Sequence, residues 1–232
     1  MLVHSEDGNG HEYIVETPGG LKRTATDHLF GSNSALIAEL QGRITGDLGS
    51  GAGGFALEMY AESALNWFSA EIHSINPRIT STDADLNRFH QESQSLILFQ
   101  YLCHLPRSQR IAISEAATNR YLATRHDNSW DNLSDFPDGF FDVMLATGSY
   151  VFYPDTYTPD SLNEIMRTIK PGGYFQAGFY VRTTDNYDEY EAIASAMNNQ
   201  GYAAEIRYNK TGEHDLPSYK KLEAIGVVRI NK

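Results

Sequence analysis

Between Gly46 and Gly54 the sequence reads Gly-Asp-Leu-Gly-Ser-Gly-Ala-Gly-Gly, the stretch of the 232 residues whose composition points most directly to chemistry. Glycine allows a sharp reversal and lets backbone amides touch a ligand with no side chain in the way. The cluster follows a short strand candidate, Ile44–Leu48, and precedes a helical pattern, so it occupies a strand-to-helix junction. In an α/β sheet such junctions are where nucleotide-like ligands bind. Two spacings are present at once. Gly49, Gly51 and Gly54 fit G-x-G-x-x-G, the dinucleotide pattern. Asp47, Gly49, Gly51 and Gly53, with Ser50 among them, fit D-x-G-x-G-x-G.

Asp47 separates the two. A dinucleotide sets its pyrophosphate against the helix N-terminus, where a carboxylate pointing into the turn repels it. S-adenosylmethionine carries no phosphate and has two cationic groups, an ammonium and a sulfonium. An acid at the strand end beside exposed glycine amides suits that ligand, and a nicotinamide dinucleotide stands as the alternative occupant.

The elements that must position this turn alternate along the chain. A helical segment lies within residues 26–41, with Leu36, Ile37 and Leu40 on one face. Residues 55–75 read as a helix, because Leu65, Phe68, Ile72 and Ile75 recur at i, i+3, i+7 and i+10. Asn76-Pro77 stops it, since a residue before proline avoids the helical region. Residues 79–83 are a second strand candidate, 86–105 a long helix, 106–119 further helix, and 120–125 a weak third strand. Phe141 to Thr147 is an apolar, buried strand. Thr158 as cap and Pro159 at the first position start a helix. Its buried face is Leu162, Ile165, Met166 and Ile169, and Lys170-Pro171-Gly172-Gly173 ends it. Residues 174–181 form a fifth strand, and 187–199 a helix closed by Gly201. Residues 203–208 and 222–230 are two last strands that share one loop and must pair antiparallel. Alternation of strands and helices implies a parallel sheet covered on both faces. The expected fold is therefore a three-layer, Rossmann-like α/β sheet, mostly parallel with an antiparallel C-terminal hairpin strand. Residues 1–43 read as an N-terminal arm and lid helix, and 44–232 as a single ligand-binding domain.

Taken in order, these segments resemble the class I S-adenosylmethionine-dependent methyltransferase family. The D-x-G-x-G-x-G turn is the first of them. Asn76 to Leu86 is similar to the family's second strand, and the resemblance implies that Asp83 accepts hydrogen bonds from both ribose hydroxyls of the donor, as a carboxylate can. Asp83 lies farther from Asp47 than the family's usual interval. Glu71, after a strand at 65–70, therefore stays open as the ribose acid. Phe136-Pro137-Asp138-Gly139-Phe140-Phe141-Asp142-Val143 resembles the lead into the fourth strand. Leu162 to Tyr174 resembles the helix and Pro-Gly-Gly turn before the fifth, a structural motif rather than a site. In the family an acid after the third strand bonds the adenine amino group, and Asp127, with Asn128 beside it, takes that place. The similarity spans roughly residues 44–182. It implies S-adenosylmethionine as cofactor, held by Asp47, Gly49, Ser50, Gly51, Gly53, Asp83, Asp127 and Asn128, and methyl transfer to N, O or C of an acceptor. An NAD(P)-dependent oxidoreductase using the same turn, and a member of the fold that binds the donor without methylating, are the alternatives.

Methyl transfer displaces a carbon already activated by the sulfonium, so the protein's main task is alignment in a dry pocket. A base is needed only where the acceptor must lose a proton early. The family has no universal catalytic residue. His28, in the lid segment, has a side chain that titrates near neutrality and suits a base. Tyr150 and Tyr153, past the fourth strand, and Tyr180, at the end of the fifth, are placed to line an acceptor pocket. The eight histidines show no metal-ligand spacing, so no metal is expected. Cys103, the single cysteine, rules out an internal disulfide and reads as a small buried hydrophobe. Thirty acidic against 18 basic side chains give a net charge of −12, with no Lys/Arg cluster. That balance opposes nucleic-acid phosphates and points to a small-molecule acceptor. No apolar run reaches the ~18 residues of a membrane span. The N-terminus is polar and acidic, unlike a signal peptide, so a cytoplasmic setting is expected.

Overall fold

The computed structural model describes residues 3–6, 12–15, 29–66, 68–76, 84–129, 132–146, 159–181, 185–209 and 224–232. Near the N-terminus, β1 (Val3–Glu6) and β2 (Glu12–Val15) pair antiparallel as a separate two-stranded sheet. The central sheet holds β3 (Ile44–Leu48), β4 (Glu71–Ile75), β5 (Arg125–His126), β6 (Phe141–Ala146), β7 (Ile169–Val181), β8 (Ala203–Asn209) and β9 (Ala224–Asn231). Its order is β5-β4-β3-β6-β7-β9-β8. The first five of these strands run parallel, and β9, inserted between β7 and β8, runs against both. This is the expected mostly parallel sheet with a reversed C-terminal strand.

Helices cover both faces. On one lie α1 (Asn33–Leu40), α2 (Gly54–Asn66), α3 (Ala84–Leu102) and α4 (Arg107–Ala123). Leu36, Leu40, Phe55, Met59 and Tyr121 pack there against sheet residues such as Ile72, Val143 and Leu145. Each such side chain, fully withdrawn from water, contributes about 1.5–3 kcal/mol. On the other face α5 (Pro159–Thr168) and α6 (Asp185–Asn199) bury Leu162, Ile165, Met166 and Met197 against Leu48, Met144 and Phe175. The period-2 pattern of β6 sends Val143 and Leu145 to one core and Met144 and Ala146 to the other. Ser32 caps α1, its Oγ accepting from the Ala35 N–H at 3.2 Å.

The motif of α5 and the turn after it is structural, as its resemblance implied. Arg167 donates to Glu164 and Asp138 and to the carbonyls of Leu133 and Phe136, tying the loop before β6 to α5. A β-carbon on Gly173 would lie 2.4 Å from the Asp142 carbonyl, so the turn needs glycine for close approach of β7 to β6. Asp142 accepts from Lys170 Nζ at 2.7 Å and from the Ile44 N–H at 2.8 Å. Burial would raise its pKa, yet those two bonds hold it below the usual carboxylate range.

Three readings change. The helix expected over 55–75 ends at Asn66, and residues 71–75 are the second strand of the sheet. The apolar positions that suggested one helix belong to two elements, Leu65 to α2 and Ile72 and Ile75 to β4. The weak strand at 120–125 is instead the last turn of α4, followed by a two-residue strand. Cys103 is exposed: α3 ends one residue earlier, and Leu102 takes the buried position. The strand candidate at 79–83 lies outside the described residues. Among those residues no helix is long and apolar enough to cross a membrane.

Candidate functional site

β3 lies inside the sheet between β4 and β6, and chain order reverses there. Ligands of open α/β sheets bind at such a switch point, outside the carboxyl ends of the strands. The glycine turn leaves β3 at that end. Gly49, Gly51 and Gly53 have φ of +66°, +54° and +79°, in the left-handed region that favours glycine. Gly54 opens α2 in ordinary helical conformation. The residues that need glycine are therefore those of D-x-G-x-G-x-G, and the third glycine of the dinucleotide spacing is not among them.

Backbone bonds fix the turn. The Gly49 N–H donates to the Ile75 carbonyl at 2.8 Å, and the Gly53 N–H to the Ser50 carbonyl at 2.8 Å. Gln94 of α3 donates to the Ala52 carbonyl at 3.0 Å. Gly53 admits the ring of Tyr121, whose Cε2 lies only 2.0 Å from where a β-carbon would stand. Gly51 has no atom of the described residues within 4 Å of that position. Asp47 is 1% exposed and lies level with Ser74 of β4 and Leu145 of β6. Burial raises the Tyr121 phenol far above its ordinary range; Arg125 opposes this, and the Asp47 charge adds to it. Ser50 Oγ is buried with no hydrogen-bond partner among the described residues, a polar atom in the turn that a ligand would satisfy.

Asn76 stands at the tip of β4, beside the turn. Its N–H donates to the His126 carbonyl at 3.1 Å and its Nδ2 to the Gly51 carbonyl at 3.2 Å. The sequence reading passed over it as a helix stop. Residues 72–76 are buried on both faces of the sheet and show no polar–apolar alternation that would mark Asn76 as a strand end. Glu71, the alternative ribose acid, sits at the opposite end of β4, bonded to His73 Nε2 at 2.8 Å. Asp127 and Asn128 follow β5 at the same edge as the glycine turn. Asp127 is exposed, whereas Asn128 is buried and its Nδ2 donates to Asp135 Oδ2 at 3.0 Å and the Asn132 carbonyl at 3.3 Å. Asp83, His28, Tyr150 and Tyr153 lie outside the described residues, and of Tyr180 only its place in β7 is described. No group of three or more His, Cys, Asp or Glu side chains among the described residues is arranged to hold a metal ion.

Neither a protein-family model nor a curated protein matches the sequence. Solved structures do match in shape. A 16S rRNA (adenine(1408)-N(1))-methyltransferase from Catenulisporales acidiphilia superimposes with a TM-score of 0.50 at 11% identity, over 99% of this chain and 95% of that one. The phosphoethanolamine N-methyltransferase 2 of Haemonchus contortus, solved with phosphomonomethylethanolamine and S-adenosylhomocysteine, gives 0.51 at 16% identity, over 93% of this chain and 53% of that one. The chain has the class I methyltransferase fold. In the class I methyltransferase fold of this protein, the structure brings Asp47, Gly49, Ser50, Gly51 and Gly53 together at the switch point. It sets Asn76 and the Asp127–Asn128 pair along the same edge, one and two strands away.

Proposed function

We propose that this chain is an S-adenosylmethionine-dependent methyltransferase acting on a small-molecule acceptor. The observation that carries the reading is the buried Asp47 followed by three left-handed glycines at the switch point. Asp47 offers negative charge where an amine would lie. Gly49 and Gly51 offer backbone with no side chain in the way, and Ser50 Oγ offers a hydrogen-bonding group without a partner among the described residues. Gly53 keeps the turn seated against α4. Asn76, just past β4, bonds to the turn through its side chain, and we assign it to the ribose edge together with Asp83. Asp127 and Asn128 are assigned to the adenine. Bound donor supplies a methyl carbon already activated by its sulfonium. The chain's contribution is then to hold, orient and exclude water. His28, Tyr150 and Tyr153 remain candidates for the acceptor side, with His28 as the base where an acceptor proton must leave. Residues 1–43 serve as arm and lid and 44–232 as the donor-binding domain, in a cytoplasmic protein. α1 anchors the arm, since Tyr174 donates to Glu39 and Gln176 to the Leu29 carbonyl.

Titration calorimetry with S-adenosylhomocysteine tests the assignment. Saturable 1:1 binding is expected, weakened at least ~10-fold (about 1.4 kcal/mol) in Asp47→Asn. Absence of heat with S-adenosylhomocysteine, together with binding of NADH, would replace the reading with the dinucleotide one.

A further inference from the structure

Alternation along the strands sends several polar side chains into the interior. A β-carbon on Gly46 would meet Met144 and Phe141, in the core under α5 and α6. Thr45 and Asp47, on either side of it, therefore face the other way, toward α2, α3 and α4. Ser74 stands level with Asp47 on β4, on the same face as Ile72, which packs in that core. From α4 comes Tyr121, its ring against Gly53. Thr45, Ser74 and Tyr121 are each 0% exposed. Their hydroxyl oxygens have no hydrogen-bond partner among the described residues. The Gln94 amide close to Tyr121 donates to the Ala52 carbonyl instead.

A buried hydroxyl without a partner costs stability, and phenylalanine or alanine fills much the same space without that cost. Folding alone gives no reason to gather three of them in one place. A reason stands beside them. Asp47 is a carboxylate 1% exposed, and burial favours the neutral acid, which would hold no cation. Hydroxyls with nothing else to bind turn their O–H dipoles to the local field. Tyr121 lies in the field of two opposite charges, that of Arg125 first and that of Asp47 second. Arg125 is on β5 level with Ser74, so the row across the sheet reads Arg125, Ser74, Asp47. A phenol in the field of both charges turns its oxygen to the cation and its hydrogen to the anion.

We propose that Tyr121, with Ser74, is a positioning residue for donor binding: the two hydroxyls hold Asp47 as a charged carboxylate for the donor's amine. The inference rests on the donor assignment at Asp47. Both residues are fully buried and act through Asp47. Their hydroxyls are kept at a cost to the empty protein that is recovered when the donor binds.

Thermal unfolding and S-adenosylhomocysteine calorimetry on the full chain test this together. Tyr121→Phe keeps the ring against Gly53 and removes the hydroxyl alone. It should melt at or above the parent's temperature, yet raise the dissociation constant for S-adenosylhomocysteine at least ~5-fold. Ser74→Ala should show the same split. A merely structural role would move stability and binding down together. In an Asp47→Asn background, Tyr121→Phe should change the dissociation constant less than ~2-fold, because the charge it serves is gone. If Tyr121→Phe does not fold, Ser74→Ala, alone and combined with Asp47→Asn, carries the same comparison. A loss that adds in full to that of Asp47→Asn, or weaker binding with a lowered melting temperature, overturns the proposal. A parent chain that binds no S-adenosylhomocysteine overturns the donor reading and this inference with it. A parent that binds, with both variants binding equally well, overturns this inference alone.

Discussion

A β-carbon added to Gly53 would stand 2.0 Å from Tyr121 Cε2, at a φ of +79° that other residues rarely adopt. Gly51 has a similar φ, +54°, but nothing among the described residues within 4 Å. The two glycines therefore carry different burdens. Gly53 serves folding, because the ring of α4 must touch the turn. Gly51 leaves a space that the packing does not use. Gly53→Ala should cost about 2–4 kcal/mol, from overlap with Tyr121 and the left-handed backbone together. Gly51→Ala should cost only about 1 kcal/mol of stability, for the backbone alone. Its methyl group should fall on donor binding instead. Urea unfolding and S-adenosylhomocysteine calorimetry on the two variants read the two effects separately. A Gly51→Ala protein that binds like the parent would remove Gly51 from the site.

At the scale of elements, β5 has two residues and depends on its neighbours. Ser74 of β4 and Asn76 just past it donate to the carbonyls of Thr124 and His126. His73 Nδ1 lies 2.8 Å from His126 Nε2, and Phe136 meets the His126 ring edge-on at 4.7 Å. Glu71 accepts at His73 Nε2, so in the neutral pair His73 Nδ1 accepts from the His126 Nε2–H. Burial lowers the His126 pKa below its ordinary value, the nearby His73 lowers it further, and Asp135 opposes both. The unfolded chain thus takes up that proton first as pH falls. The contribution of His126 is complete above about pH 6.5 and is lost as pH falls toward the lowered folded value. Burial of His90 acts in the same direction, whereas Asp142 and Glu164, held low, matter only in more acid solution. His126→Gln should flatten the loss of stability between pH 7 and 5, read by urea unfolding at several pH values. An unchanged slope would show that the pair does not tie β5 to β4. These edge strands are also where the sequence was least legible. β3, β6, α5 and the C-terminal pair declare themselves through apolar runs, caps and turns. β4 places His73 and Ser74 in the interior, so its alternation is hidden, and Ile72 and Ile75 continue the helical spacing of Leu65 and Phe68 by coincidence. Asn76 was missed with it. β5 is too short to interrupt the helical pattern of α4. The glycine turn was legible because positive φ leaves a compositional mark, and Asp47 because a strand-end acid is conspicuous among glycines.

Over the whole molecule, the fold by itself does not choose the acceptor. The same architecture serves a methyltransferase named for 16S rRNA and another solved with phosphomonomethylethanolamine. Charge supplies a test between the two acceptor classes. A net of −12 repels a phosphate backbone at long range, although residues 84–123, on α3 and α4, carry a local net of +1. A protein that docks on RNA releases counterions from it, so its affinity is greatest at low salt and falls steeply as salt rises. The sharpest comparison is thus fluorescence anisotropy with a structured RNA at about 50 mM salt, the condition that favours RNA most. No saturable binding is expected there, while S-adenosylhomocysteine should bind with little salt dependence, since the site proposed for it is a buried turn rather than a charged face. Tight RNA binding with a steep negative salt slope would transfer the acceptor from small molecules to nucleic acid. The donor assignment at Asp47 would stand, and the arginines of the α3–α4 hairpin would become the first residues to test as its docking site.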